Sequence, residues 1–269
     1  MDRISKVLDM KNSMEFGTAQ RQNCSSLLSF RNVDFQYAGA SRPSLTGISF
    51  DLKKGETLGI IGSTGSGKST LVSLIPRLYD VSAGEIRLNG TEIQKYSKEE
   101  LQSMVAVVPQ KAMLFAGTVR SNLLWGNPAA GEEELWHALE AAQAAEFVRQ
   151  MPEGLNASVA QNGRNLSGGQ KQRLTIARAI LKKAEILILD DSASALDYAT
   201  DAALRKAVAA LPGTVITVSQ RISSVKHADK ILVLDDGRLA GQGTHEKLLE
   251  ACTVYREIYE SQNRKEGQQ

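Results

Sequence analysis

The residues best suited to chemistry in this sequence form one glycine-rich run, GSTGSGKS, from Gly62 to Ser69. Glycine lets a backbone fold closely round an anion, so that its N–H groups point at phosphate oxygens at the start of a helix. Lys68 adds a positive charge for the β- and γ-phosphates, and Ser69 offers a hydroxyl to Mg²⁺. The run follows an apolar, strand-like segment and precedes a helix-like one, which is the order that such a site requires. We therefore predict a nucleotide-phosphate site made of Gly62, Ser63, Thr64, Gly65, Ser66, Gly67, Lys68, Ser69 and Thr70.

A carboxylate at the end of a second apolar run is the matching candidate metal ligand. Asp190 ends the segment ILILD, Ile186–Asp190. At the carboxyl edge of a parallel sheet, such a carboxylate can hold Mg²⁺ through water. An isolated aspartate after an apolar strand is more often a helix cap. Because the phosphate loop is also present, we predict that Asp190 and Ser69 belong to one magnesium site.

A second candidate anion site lies in the segment LSGGQ, Leu166–Gln170, which is called the signature segment below. Ser167, Gly168 and Gly169 would expose a hydroxyl and backbone amides at the start of a helix, where the helix dipole favours negative charge. The alternative interpretation is an ordinary helix start capped by serine. Gln170 joins these three residues in the predicted binding set.

The elements that must position these residues alternate along the chain. From Leu27 to Ile61, β-rich stretches predict a small antiparallel sheet that leads into a core strand. After Ser69, short apolar strands alternate with helices, which indicates a mostly parallel sheet covered on both faces. The predicted fold class is therefore α/β, with a P-loop NTPase core, an N-terminal antiparallel β subdomain and an inserted α-helical subdomain.

The chain divides into a lead-in, one large domain and a tail. Residues 1–26 are interpreted as the lead-in, residues 27–262 as the domain, and residues 263–269, which are polar and charged, as a flexible tail. Within the domain, residues from about 126 to 180 begin with a stretch rich in Ala, Glu and Leu and without apolar strands. The helical subdomain is expected there.

Composition narrows the classes of partner. The formal net charge is +2, so nothing in the overall charge favours nucleic acid, and phosphate binding must be local. Cys24 and Cys252 lie far apart without metal-ligand spacing, so we expect free thiols. No apolar run approaches the roughly 18 residues that a membrane-spanning helix needs.

The string LSGGQKQRLTIARAI, residues 166–180, resembles the signature motif and following helix of the ATP-binding cassettes of ABC transporters. The resemblance extends from about Leu27 to Gln262. It implies that Tyr37 stacks on adenine, that Gln110 contacts Mg²⁺ and senses the membrane domain, and that SALD, residues 194–197, is the D-loop. ATP and Mg²⁺ are the implied cofactors.

The resemblance also implies partners. Two cassettes pack head to tail in this family, so that each signature segment closes on the γ-phosphate held by the other, and hydrolysis releases the dimer. The stretch FAGTVRSNLLWG, residues 115–126, and the lead-in RISKVLD resemble exporters. A transmembrane permease domain is then expected N-terminal to Met1 on the same polypeptide, which places this domain at the cytoplasmic face of the cell membrane. Nucleic acid is not an expected partner.

Two positions depart from the family pattern. Asp191 stands where a glutamate usually positions the attacking water, and Gln220 stands where the switch-loop histidine is expected. Aspartate is one methylene shorter than glutamate, and a misplacement near 1 Å can cost roughly 100-fold in rate. Gln220 can hydrogen-bond the γ-phosphate, but a neutral amide cannot supply the charge of an imidazolium. We assign Asp191, Gln220, Asp190 and Gln110 to a catalytic set that binds ATP and hydrolyses it slowly.

The hypothesis is that this subunit belongs to an asymmetric exporter, in which its own site is degenerate and its signature segment completes the site of a different partner chain. Alternatives are a slow homodimeric transporter ATPase and a regulatory nucleotide-binding module with little turnover. An importer cassette and a transport-independent ABC ATPase are further alternatives, although the latter would be expected to carry two cassettes or a long coiled-coil insertion.

Overall fold

The computed structural model describes residues 14–19, 24–192 and 196–266. Most of the predicted lead-in lies outside the described residues, as do Ser194 and Ala195 of the predicted D-loop and residues 267–269. The strands are β1 Ser26–Phe35, β2 Leu45–Lys53, β3 Leu58–Gly62, β4 Ala83–Leu88, β5 Thr91–Glu92, β6 Val105–Val108, β7 Gly117–Thr118, β8 Ser158–Val159, β9 Ile186–Asp190, β10 Thr214–Val218, β11 Lys230–Asp235 and β12 Arg238–Gly243.

The helices follow the strands in the alternation that the sequence predicts. They are α1 Lys68–Leu74, α2 Lys98–Met104, α3 Val119–Leu124, α4 Glu132–Ala141, α5 Ala145–Gln150, α6 Gly168–Leu181, α7 Tyr198–Ala209, α8 Ile222–Val225, α9 His245–Ala251 and α10 Thr253–Glu266. Short 3₁₀ turns lie at Ile93–Lys95, Gly154–Asn156 and Gln161–Gly163. Within the described residues, no helix is both long and apolar enough to span a membrane.

A six-stranded sheet with the order β12-β11-β3-β10-β9-β6 forms the core. All its neighbours pair in parallel except β11 and β12, which form an antiparallel hairpin at one edge. Every residue of β3 is buried, because helices cover both faces of the sheet. Val218 of β10 pairs with Asp190 of β9 and with Ile60 of β3, so these three strands end side by side at one edge.

A four-stranded antiparallel sheet, β2-β1-β4-β5, packs beside this core. Phe30 of β1 and Phe50 of β2 stack with their ring centroids 4.6 Å apart. Apolar side chains of this sheet share one buried cluster with Ile60 of β3 and Leu71 of α1. The predicted α/β class, with a mostly parallel sheet and an N-terminal antiparallel subdomain, is confirmed.

The helical region differs in detail from the predicted range of about 126–180. It begins at Val119 with α3, and α6 continues to Leu181. A two-stranded ribbon pairs β7, which directly precedes α3, with β8, which lies in the stretch where the sequence indicated no strand. Both strands are only two residues long, too short for an apolar alternation to be visible in the sequence.

The last helix enters the predicted tail, residues 263–269. Helix α10 continues through Glu266, so residues 263–266 are helical. This helix is held by Tyr255, which is fully buried, and by the partly buried Ile258 and Tyr259. The flexibility predicted for residues 263–269 stays a prediction.

Candidate nucleotide-binding site

The phosphate loop, Gly62–Ser69, joins the end of β3 to the start of α1. Two of its glycines meet steric demands that another residue could not. A Cβ on Gly62 would lie 2.2 Å from the carbonyl oxygen of Leu234. Gly67 caps α1 with φ of 98°, in the left-handed region that glycine adopts without cost. The first amides of α1 have no acceptor within the helix, so this turn presents N–H groups to an anion.

Lys68 is held at the opening of this loop. Its Nζ donates hydrogen bonds to the carbonyl oxygens of Gly62, at 2.9 Å, and Ser63, at 2.6 Å. Burial lowers the pKa of Lys68, whereas the nearby charges of Asp191 and Asp190 oppose that shift. The ammonium group is therefore largely removed from water and surrounded by oxygen atoms, an environment in which a phosphate oxygen is a strong additional acceptor.

Ser69 and Asp190 meet where a cation would be expected. The Ser69 hydroxyl donates to Asp190 Oδ1 at 3.1 Å. Mg²⁺ prefers oxygen ligands and keeps several of its waters, so the Ser69 hydroxyl and the Asp190 carboxylate would together hold the ion, with Asp190 acting through water. Burial raises the pKa of Asp190, and Asp191 adds to the shift, while the Ser69 hydrogen bond and the charge of Lys68 oppose it. A half-buried carboxylate with a raised pKa gains from a bound cation, because the cation favours its ionised form.

Gln110 and Asp191 are joined by a side-chain hydrogen bond. Gln110 Nε2 donates to Asp191 Oδ2 at 3.0 Å. The Asp191 amide donates to the Val218 carbonyl at 2.9 Å, which ties the residue to β10. Asp191 has φ of 46°, a left-handed conformation that aspartate tolerates better than most side chains. The short carboxylate is therefore fixed by its backbone as well as by Gln110.

Tyr37 lies beside the start of α1. Its hydroxyl is 3.1 Å from Thr70 Oγ1, and its side chain is partly exposed. The rings of Phe35 and Tyr79 pack edge-on or tilted against one another and against Tyr37, with centroids 4.7 to 5.5 Å apart. An exposed aromatic surface next to the phosphate loop is suited to a purine ring. Tyr79 is absent from the sequence-based set, because nothing in its local sequence indicates its contact with Tyr37.

The signature segment begins α6 with a reciprocal capping box. The Ser167 hydroxyl accepts a hydrogen bond from the Gln170 amide at 3.2 Å, and the Gln170 side chain accepts one from the Ser167 amide at 2.9 Å. Ser167 and Gly168 are exposed. Serine here caps the helix, and its exposed turn still faces solvent as an anion site would.

Helix α6 connects this segment to the residues around Gln110. Gln172, which is buried, donates to the carbonyl oxygen of Pro109 at 3.4 Å. Arg178 donates to the carbonyl oxygens of Asn122, at 2.9 Å, and Met113, at 3.1 Å. Neither Gln172 nor Arg178 was in the sequence-based set, because their partners lie more than fifty residues away in the chain.

Gln220 lies at the same edge of the sheet because it follows a central strand. It follows β10 by two residues, between the ends of β3 and β9, and it is exposed. Of the predicted D-loop, the described residues Leu196 and Asp197 precede α7. Asp197 caps that helix by accepting from the Thr200 amide at 2.9 Å.

Three sets of hydrogen bonds thus lie close together among the predicted residues: Lys68 to its loop, Ser69 to Asp190, and Gln110 to Asp191. A phosphate loop at the carboxyl edge of a parallel sheet, with an aspartate on a nearby strand, defines a P-loop nucleotide-binding domain. The signature segment stands apart from this group as the capped start of α6.

Residues 45–194 match the family model described as ABC transporter. The uncharacterized ABC transporter ATP-binding protein YfiB of Bacillus subtilis (strain 168) is 42% identical over 267 residues, 99% of this chain and 46% of that protein. The ATP-dependent lipid A-core flippase of Haemophilus ducreyi (strain 35000HP / ATCC 700724) is 39% identical over 262 residues, 96% of this chain and 45% of that protein.

The fold is also similar to the structure of a bacterial Atm1-family ABC exporter with ATP bound. The TM-score is 0.91 at 33% identity, over 97% of this chain and 47% of that one. The chain belongs to the ATP-binding domains of the ABC transporter family. It spans about half the length of the relatives that it matches.

Proposed function

We propose that this domain binds MgATP at the phosphate loop and powers transmembrane export by ATP-driven, head-to-tail pairing with a second ATP-binding domain. The observation that carries the proposal is the bonded group at one sheet edge, in which Lys68, Ser69–Asp190 and Gln110–Asp191 adjoin one another. Similarity to an exporter structure and to a flippase supports export as the direction. Lys68 and the loop amides hold the phosphates, Ser69 and Asp190 hold Mg²⁺ with Gln110 beside them, and Tyr37 stacks on adenine.

Hydrolysis at this site is slow in our proposal. A catalytic carboxylate must lie within about 2.6–3.2 Å of the attacking water. Asp191 is short, its backbone is held by Val218, and one of its oxygens already accepts from Gln110. Gln220 adds no charge at the γ-phosphate. These features weaken proton transfer and charge stabilisation more than they weaken binding, because the phosphate loop and Asp190 keep their expected residues.

The signature segment serves the partner's site in this proposal. Its exposed Ser167 caps a fourteen-residue helix that begins at the exposed Gly168, and the dipole of this helix favours an anion at that end. The capping box fixes the geometry of this turn before any partner arrives. An intact signature beside a weakened hydrolytic set supports a heterodimer in which the faster site takes its glutamate and histidine from the other chain.

The membrane domain docks on a surface next to Gln110. Val107, Met113, Phe115 and Trp125 are large apolar side chains that remain exposed there, with Trp125 68% exposed. Phe115 and Trp125 stack at 4.8 Å, and Arg178 lies over the Phe115 ring. Exposed apolar groups of this size mark protein interfaces. Because this surface adjoins Gln110 in the chain, docking can reach the nucleotide, and we propose that the docked domain lies at the cytoplasmic face of the membrane.

Two other functions remain as alternatives. In a slow homodimeric transporter ATPase, the same residues form two identical sites. A regulatory nucleotide-binding module binds ATP with little turnover. The second is favoured specifically by the Gln110–Asp191 bond, which occupies the carboxylate that would otherwise meet water.

Mixing this domain with candidate partner domains separates the three functions. ATP hydrolysis greater than the sum of the separate chains supports the composite site. Hydrolysis that equals that sum but rises with the square of this chain's concentration supports the homodimer. ATP binding without stimulated turnover supports the regulatory module, and absence of ATP binding contradicts all three.

A further inference from the structure

Helix α10 lies across the loop that carries Gln220. Tyr255 is fully buried, Ile258 and Tyr259 are partly buried, and their cluster includes Ile222 and Val225 of α8. Gln262 follows Tyr255 by seven residues, two helical turns, and therefore lies on the same face of α10. A polar side chain on this apolar face must find hydrogen-bond partners or lose stability.

Gln262 finds both partners in the loop before α8. Its Oε1 accepts a hydrogen bond from the Ile222 amide at 2.9 Å. Its Nε2 donates to the carbonyl oxygen of Gln220 at 2.7 Å. The two halves of one amide thus hold the backbone on either side of Arg221.

The loop needs such a partner because α8 has only four residues and its N-cap, Arg221, makes no side-chain cap. The first amide of a helix has no acceptor within the helix. Gln262 supplies that acceptor from a distant part of the chain. Ser219 adds a local contact, since its hydroxyl accepts from the Arg221 amide at 3.0 Å. The exposed side chain of Gln220 remains available to the nucleotide.

We propose that Gln262 is a positioning residue for hydrolysis, which holds the switch loop, Ser219–Arg221, at the edge of the sheet and thereby sets the place of Gln220. The inference rests on the proposed role of Gln220 at the γ-phosphate. A group misplaced near 1 Å can lose much of its effect on rate. Docking of α10 therefore affects turnover although this helix carries no residue of the nucleotide site.

Two substitutions separate positioning from general stability. Gln262→Glu keeps an oxygen for the Ile222 amide but turns a carboxylate oxygen toward the Gln220 carbonyl, so it breaks one bond selectively. Gln262→Met removes both bonds and keeps the length of the side chain. Asn263→Met is the matched control, because Asn263 is the next residue of α10 and is exposed. All variants are prepared in the complete transporter that contains this domain.

Three readouts are combined: hydrogen exchange of residues 220–222, the Kd for ATP, and the single-turnover kcat of this domain's own site, which is isolated by a binding-defective partner. We expect Gln262→Met to speed exchange of the Ile222 amide about 3- to 10-fold and Gln262→Glu to leave that amide protected. Both variants should lower kcat about 3- to 10-fold, with the Kd for ATP unchanged within 2-fold. On a Gln220→Ala background, neither variant should lower kcat further, and Asn263→Met should change nothing.

An unchanged kcat with faster exchange would overturn the proposal, since Gln262 would then anchor the loop without affecting hydrolysis. An equal loss of kcat on the Gln220→Ala background would also overturn it, because the effect would not pass through Gln220. Failure of the wild-type transporter to bind ATP would instead contradict the proposed function. The exchange measurement would still report whether Gln262 holds the loop.

Discussion

Gln110 donates a hydrogen bond from its side-chain amide to Asp191 Oδ2, and the two atoms are 3.0 Å apart. This bond links the segment next to the exposed Phe115–Trp125 stack with the carboxylate that follows Asp190, the proposed metal ligand. A movement of that segment would therefore be felt at Asp191 directly. A longer side chain in place of Asp191 must also loosen or break the hydrogen bond to Gln110 before it can contact a water molecule.

Restoring the family residues should speed hydrolysis. The double variant Asp191→Glu with Gln220→His extends the carboxylate by one methylene and adds an imidazole at the γ-phosphate. We expect kcat at this site to rise about 10-fold or more, because correcting a misplacement near 1 Å can recover up to roughly 100-fold. Glutamate tolerates the left-handed backbone of Asp191 less well than aspartate, so part of the gain is offset.

The measurement is single-turnover ATP hydrolysis with this domain's own site isolated by a binding-defective partner. Asp235→Glu, an exposed aspartate at the end of β11, is the matched control and should have no effect. Unchanged turnover in the double variant, with normal ATP binding, would show that the site is not limited by these two residues.

Lys68 should dominate phosphate affinity. Lys68→Met removes the charge while keeping the length of the side chain, and we expect the Kd for ATP to rise about 10- to 100-fold, since charge-assisted hydrogen bonds contribute about 1.5–3 kcal/mol. Lys54→Met, at an exposed position, is the control. Titration with a fluorescent ATP analogue measures both, and equal affinity in the two variants would refute the assignment of Lys68.

Binding of MgATP should weaken at a higher pH than it would if Asp190 had the ordinary pKa of an aspartate. Burial raises the pKa of Asp190, and only its ionised form attracts the cation, so protons compete with Mg²⁺ as the pH falls through that raised pKa. We expect the advantage of MgATP over ATP in EDTA to decline at a pH above the usual aspartate pKa of about 3.9.

Asp190→Asn is the comparison for this pH dependence. It should abolish the Mg²⁺ advantage at neutral pH and remove the acid decline, while the folded state remains intact by circular dichroism. A decline of the same size and midpoint in Asp190→Asn would assign the titration to another group.

A negative charge introduced into the signature segment should block pairing but not nucleotide binding. Gly168→Asp adds a carboxylate in the first turn of α6, where acidic residues favour the helix but repel a partner's phosphate. We expect ATP-dependent pairing to weaken at least about 10-fold, since like charges at an interface cost several kcal/mol. Gly131→Asp, at the start of α4, is the control, because a Cβ there meets nothing within 4 Å. Sedimentation with and without ATP measures pairing, and equal pairing in both variants would contradict the proposed role.

The exposed stack should couple the domain to its membrane partner. Trp125→Ala removes the most exposed large apolar side chain of that surface, and central aromatic residues of interfaces contribute about 2 kcal/mol or more, roughly 30-fold in affinity. We expect loss of transport and of partner-dependent ATPase while ATP binding persists. Leu78→Ala, also exposed, should leave coupling intact. Normal transport by Trp125→Ala would place the docking surface elsewhere.

The sequence alone was enough to predict the fold class and the order of strand, phosphate loop and helix, because both depend on local patterns. Gly62 and Gly67 are demanded by close approach and by backbone conformation, so the loop is recognisable wherever it occurs. Apolar strands between helices predict a covered parallel sheet, and such a sheet brings its strand ends to one edge.

Tertiary structure decided the contacts that cross the chain. The Gln110–Asp191 bond joins residues 81 positions apart, and Gln262 reaches Gln220 across 42 positions. The pairing of Tyr37 with Tyr79 and the anchoring of α6 by Arg178 are of the same kind. No residue pattern encodes these contacts locally, because each depends on how separately formed elements pack, and packing is fixed only when the whole core is assembled.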